Sequence, residues 1–242
     1  MKIPTLKGII KRRILINFRA EPDSVQRLLP QGFRPKLHRG KAVAGICLIR
    51  LEHIRPKMAP EFLGINSENA AHRIAVEWDE NGETREGVFI PRRDTDSAMN
   101  SLVGGTLFPG EHNRAKFAVT ETAEGLDFAM ESRDEKVRLE LKATFADELP
   151  KGSIFENLDD SSLFFKGGAL GYSVTHGEKH LDGITLQINE WNVQPLDVES
   201  VASSFYSDME LFPKGTIEFD HALIMQNVDH EWHAAADYPL SS

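Results

Sequence analysis

The stretch Phe108-Pro109-Gly110-Glu111-His112-Asn113-Arg114-Ala115-Lys116-Phe117-Ala118-Val119 reads as a turn running into a strand. Proline and glycine mark the turn. Beyond it, period-two spacing puts Ala115, Phe117 and Val119 on one face and Arg114, Lys116 and Ala118 on the other. With the apolar set facing a core, Lys116 points to solvent. Downstream the alternation strengthens: Val137, Leu139, Leu141, Ala143 and Phe145 interleave with Arg138, Glu140, Lys142 and Thr144. That is the pattern of a half-buried antiparallel strand. Segments 114–121, 126–132 and 136–145, joined by Ala123-Glu124-Gly125 and Arg133-Asp134-Glu135, predict a three-strand meander.

Further strands are expected at 13–19, 41–54, 72–78, 87–92, 183–193 and 216–228. Helices are few. Glu21-Pro22-Asp23 opens one that Pro30 and Gly32 end. Asp94-Thr95-Asp96 caps a second running to Val103, before Gly104-Gly105. Asp159-Asp160-Ser161 begins a short third, and 197–208 is read as a fourth. The segment 150–183 is the least regular, and its Lys166-Gly167-Gly168-Ala169-Leu170-Gly171 is the candidate flap. The sum is an α+β chain, mainly antiparallel β, expected as one domain over 1–242. Some ten strands with few helices to cover them imply a closed or nearly closed barrel.

The chain has 242 residues, 40% of them hydrophobic, and a net charge of −9. Such acidity argues against nucleic acid, whose binding rests on dense Lys/Arg contacts to phosphate. No run approaches the ~18 apolar residues of a membrane span, and no signal peptide is evident, so a cytoplasmic location is expected. The lone cysteine, Cys47, permits no intrachain disulfide and reads as a small buried hydrophobe. Lys11-Arg12-Arg13 reads either as a charged strand edge that discourages pairing or as an anion contact.

Several stretches, in order, resemble the acetoacetate decarboxylase superfamily. They are Arg12 to Arg19, the helix ending Leu28-Leu29-Pro30-Gln31-Gly32-Phe33, the Phe108-Pro109 turn, and Phe219-Asp220-His221-Ala222. Glu68, Arg73 and Gly87-Val88-Phe89-Ile90-Pro91-Arg92-Arg93 are similar to an uncharacterised bacterial branch of that superfamily. The resemblance implies a closed antiparallel β-cone or barrel, a funnel to a buried site, and a homo-oligomer. In the decarboxylase the turn reads aromatic-Pro-Lys-Lys, and the first lysine is the covalent catalyst. Here Gly110-Glu111 stands in that place. The exchange removes the nucleophile and replaces the cation that depresses a lysine pKa by an anion.

What remains is a polar cluster. If the scaffold holds, Glu68, Arg73, Arg92, Arg93, Glu111 and His112 converge on the funnel. Arginine's planar fork suits a carboxylate ligand, and Glu111, His112 and Glu68 are the candidates for acid–base work. Charged residues at strand ends also commonly pair with one another, and Arg93 with Asp94 is open to that reading. His221 shares a strand face with Ile217, Phe219, Leu223 and Met225, as a core histidine or a pocket residue. Lys116 is the nearest surviving lysine. No cofactor and no metal are expected: His176-Gly177-Glu178-Lys179-His180 lacks the helical two-histidine motif, and Asp229-His230-Glu231-Trp232-His233 follows a strand end. Gly-x-Ser-x-Gly, P-loop and dinucleotide motifs are missing from the sequence.

Three functions stay open. The first is an enzyme acting on a small oxo- or hydroxy-carboxylate without a Schiff base. The second is a non-catalytic binder of a small ligand. The third is a Schiff-base enzyme using a displaced lysine such as Lys116.

Overall fold

A computed structural model describes residues 4–98, 110–175 and 180–240. Its elements run β1 (Leu6–Ala20), α1 (Pro22–Gln26), β2 (Arg34–Pro35), β3 (Leu37–His38), β4 (Lys41–Pro56), β5 (Ile65–Glu80), β6 (Glu83–Thr95), β7 (His112–Glu121), β8 (Gly125–Ser132), β9 (Arg138–Phe145), α2 (Leu158–Lys166), β10 (Leu170–Val174), β11 (His180–Ile188), β12 (Gln194–Ser203), β13 (Ile217–Ala234) and β14 (Tyr238–Pro239). The predicted meander is β7-β8-β9, each pair antiparallel.

The sheet closes twice. One ring runs β6-β7-β8-β9-β12-β13-β1-β4-β5 and back to β6. A smaller ring leaves β6 through β10 and β11 and rejoins at β13. Both share β13, β1, β4, β5 and β6. The rings part where those end strands change partner. β6 pairs with β10 at Val88–Ile90 and with β7 at Arg93–Thr95, both times in parallel. β13 pairs with β12 at Ala222–Ile224 and with β11 at His230–Ala234.

On the shared strands, successive side chains enter opposite rings, because strand side chains alternate. On β1, Ile14, Ile16 and Phe18 join the core of the larger ring, while Leu15 joins the smaller core with Val43, Cys47, Phe155 and Phe165. Each fully buried Ile or Leu contributes roughly 1.5–3 kcal/mol. The alternation thus stabilises both cores from one set of strands. It also assigns Arg12 to the larger ring and Arg13 to the smaller.

Three expectations change. Residues 197–208 form no helix: 194–203 is strand β12, paired with β9 and β13, followed by turns. Val198 and Val201 suit a strand, and this pairing closes the larger ring. Asp94 and Thr95 are the buried end of strand β6; Ala98 is helical, and residues 99–109, with the rest of the predicted second helix and Phe108 and Pro109, lie outside the described set. Lys11-Arg12-Arg13 is not at an edge, since β1 is bonded to β13 on one side and β4 on the other. The short third helix is present as α2, capped by Asn157, whose side chain accepts from the Asp160 amide.

Candidate functional site

Adjacent registers place Cys47, Ala71, Arg93 and His112 in one row across β4, β5, β6 and β7. Arg73 stands two residues along β5 from Ala71, and Arg13 on β1 lies opposite Ile49. Small Cys47 and Ala71 form a floor. Arg13, Arg73, Arg93 and His112 border it. Val88, Ile90, Ile184, Leu186 and Trp232 supply the apolar wall of a cavity of about 110 Å³ inside the smaller ring. A larger opening, lined by exposed Lys166, Ala169, Gln187 and Asn189, meets it at Arg13 and Gly168. The candidate flap residues therefore stand between the cavity and solvent.

The three arginines are held by neutral groups. Arg13 Nε donates to Cys47 Sγ at 3.3 Å. Arg93 Nε donates to Ser173 Oγ at 3.0 Å. Arg73 donates to Asn17 Oδ1, and its guanidinium lies 4.9 Å over the Phe165 ring. Arg73 is 5% exposed, and its Nε has no hydrogen-bond partner. Among the described residues none of the three forms an ion pair with a carboxylate. Burial pulls the pKa of Arg73 and of Arg93 down to about 10, so both stay charged at neutral pH. Asp182 is close enough to oppose that shift at Arg93.

Two other arginines with little exposure are paired. Arg12 holds Glu68 at 2.7 Å and also Glu121. Arg92 holds Asp94 at 2.8 Å and Asp134 at 3.0 Å. Uncompensated buried charge is costly, and an anion entering this cavity would offset it.

His112 Nδ1 lies 3.2 Å from the Gly110 carbonyl. Donation there leaves Nε2 as the basic nitrogen. Burial, then Arg93, lowers the His112 pKa to about 3, so the ring is neutral. Gly110 is the residue that the sequence resemblance sets against the decarboxylase lysine. Its φ is +85°, its amide donates to Asp182 Oδ2 at 2.9 Å, and an added Cβ would fall 2.5 Å from Ser173 Cβ. A lysine side chain has no room there.

Of the residues picked from the sequence, Arg73, Arg93 and His112 come together, with exposed Glu111 beside them at the start of β7. Glu68 faces the larger ring and is tied to Arg12, its pKa raised chiefly by burial. Arg92 is tied to Asp94 and Asp134, so the sequence-based Arg93–Asp94 pairing is replaced by Arg92–Asp94. Lys116 is exposed. His221 is fully buried behind the cavity, where Nδ1 faces Asp220 at 2.9 Å and Nε2 faces Ser161 at 2.9 Å and Asn17 at 3.0 Å. Arg13 and Cys47 were not among the candidates. The anion-contact reading of Lys11-Arg12-Arg13 was the one signal for Arg13.

For metal ligation, His180, Asp182 and Asp237 have ligand atoms within 4.8 Å of one another. Asp182 already accepts from Gly110 and faces His180 at 3.4 Å, so these contacts account for the cluster. His176 lies outside the described residues. Among the described residues, no helix is long and apolar enough to cross a membrane.

The chain belongs to the DUF2071 family, described as an uncharacterized conserved protein, whose model matches residues 10–222. No curated sequence matches it at a significant level. Its fold is that of the acetoacetate decarboxylase-like structures. An acetoacetate decarboxylase from Legionella pneumophila is similar with a TM-score of 0.62 at 14% identity, over 98% of this chain and 89% of that one. An acetoacetate decarboxylase-like enzyme from Sphingomonas wittichii gives 0.59 at 15%, over 100% and 94%. The enduracididine biosynthesis enzyme MppR, complexed with pyruvate, gives 0.57 at 13%, over 100% and 92%.

Proposed function

We propose that this protein binds a small oxo- or hydroxy-carboxylate in the smaller ring and acts on it by acid–base chemistry, without an imine. The observation that carries the reading is the group of three guanidiniums, none with a carboxylate partner among the described residues, around one apolar-walled cavity. Arg73 and Arg93 take the carboxylate, for which a planar fork is suited. A guanidinium also stabilises negative charge growing on a carbonyl oxygen as a proton or CO₂ leaves the neighbouring carbon. His112, neutral and beside Arg93, exchanges the proton, with Glu111 at its side toward solvent. Glu68, Arg92, Lys116 and His221 touch no ligand in this reading. The pyruvate bound by one similar structure fits the same ligand chemistry.

One observation favours a non-catalytic binder on the same scaffold. With a pKa of about 3, His112 is a weak base in this cavity, whereas efficient general bases titrate near the working pH. Calorimetry with pyruvate, acetoacetate and lactate against their methyl esters tests the binding. The acids should bind and the esters should not; equal binding, or none, would overturn the proposal. NMR-monitored turnover of the acids that bind then separates enzyme from binder.

A further inference from the structure

The charge around the cavity exceeds what one carboxylate offsets. Arg13, Arg73 and Arg93 bring three positive charges, and His112 is neutral. Asp94 reaches the wall with its carboxylate taken by Arg92. Among the described residues, Asp182 is the one other carboxylate that acts on Arg93 electrostatically. Even counting Asp182 in full, two positive charges are left over.

The cations also come from separate strands. Arg93 and His112 are paired in register on β6 and β7. Arg13 is on β1, separated from β6 by β4 and β5. Three strand spacings of about 4.8 Å lie between those backbones. Arg13 lines the outer opening and a small side cavity as well as the central one, whereas Arg93 and His112 line only the central one of these three. Val88, Ile90, Leu186 and Trp232 supply the apolar lining of the same cavity. Arg73 borders the middle.

We infer that the ligand is a dianion: two carboxylates joined by a short apolar spacer, one held by Arg93, the other by Arg13, with Arg73 between them. This rests on the carboxylate reading above and adds a second charge and a polarity to it. A monocarboxylate would fill the Arg93 end and leave Arg13 uncompensated. Its charge is then the determinant of which acids bind tightly.

Calorimetry on the unaltered protein compares chain-matched pairs, succinate against butyrate and 2-oxoglutarate against 2-oxovalerate. The dicarboxylate of each pair should bind at least tenfold tighter, and the gap should shrink as salt rises. Arg13→Gln should erase the gap within each pair. Equal affinity within both pairs would overturn the dianion and leave the carboxylate reading standing. No binding by any of the four would overturn both. A gap that survives in R13Q would remove Arg13 from the second subsite. The wild-type comparison decides the charge count whether or not R13Q folds.

Discussion

The side-chain oxygen of Asn17 accepts a hydrogen bond from Arg73, and both residues are buried. Through its amide, Asn17 also meets Nε2 of His221, 3.0 Å away, and His221 leans on Asp220. Arg73 is thereby oriented by a neutral acceptor that leaves its charge available. Asn17→Asp would place a carboxylate at the same atom and neutralise Arg73 internally. Carboxylate affinity should fall at least tenfold, about 1.4 kcal/mol, with a folded protein by circular dichroism. Undiminished affinity would show that Arg73 does not carry ligand charge.

Arg93 and Arg12 should respond oppositely to neutralisation. Arg93 has no carboxylate partner, so Arg93→Met removes an uncompensated cation. Its urea midpoint should hold or rise, while carboxylate affinity drops at least tenfold. Arg12→Met leaves buried Glu68 in the larger ring with only the longer Arg50 contact at 3.9 Å. Losing one partner of a buried pair costs about 3–5 kcal/mol, so this midpoint should fall, with ligand affinity unchanged in the folded fraction. A matched loss of stability in both variants would erase the distinction between paired and ligand-facing arginines.

Restoring the lysine should not restore imine chemistry. At Gly110 the left-handed backbone and the 2.5 Å approach to Ser173 both exclude a side chain. Gly110→Ala should cost about 1–3 kcal/mol through strain. Gly110→Lys should give no borohydride-trapped adduct with acetoacetate by intact mass. An adduct mapped to residue 110 would mean the loop accepts the lysine after all.

Stability should decline on the acid side. Burial, the largest cause in each case, lowers the pKa of His72 and His112 to about 3 and of His230 to about 4. In the unfolded chain these rings take a proton near 6.5. Below that pH the unfolded state binds protons that the folded state refuses. Each site therefore removes up to about 1.4 kcal/mol per pH unit as pH falls from ~6.5 toward the folded value. Urea midpoints should drop between pH 7 and pH 5. Neither ring nitrogen of His72 has a hydrogen-bond partner, so His72→Phe should flatten the slope. An unchanged slope would exclude His72 as a contributor.

The meander was legible because its information is local. Val137 to Phe145 alternate, the turns at Gly125 and Asp134 are short, and each strand pairs with its sequence neighbour. The misread segment 197–208 shows the opposite case. Its acids and serines suit a helix start, yet it pairs with β9 and β13, and those partners are distant in sequence. Asp94 was misread for a similar reason: its partner Arg92 is near, but the burial that makes the pair necessary comes from the closed sheet.

Arg73, Arg93 and His112 could be listed from the sequence by residue type, as could Glu68, Arg92 and Lys116. Residue type did not separate the two groups. Local alternation determined which residues share a strand face: Arg12 with Ile14, Arg13 with Leu15, Glu68 with Ala70. Only the tertiary structure decided which ring each face lines, and so which arginines meet a carboxylate and which meet a cavity. The rings close through pairings such as Arg13 with Met225 and Leu186 with Trp232. Those contacts are set by packing between distant strands, and a period of two within one strand carries no record of them.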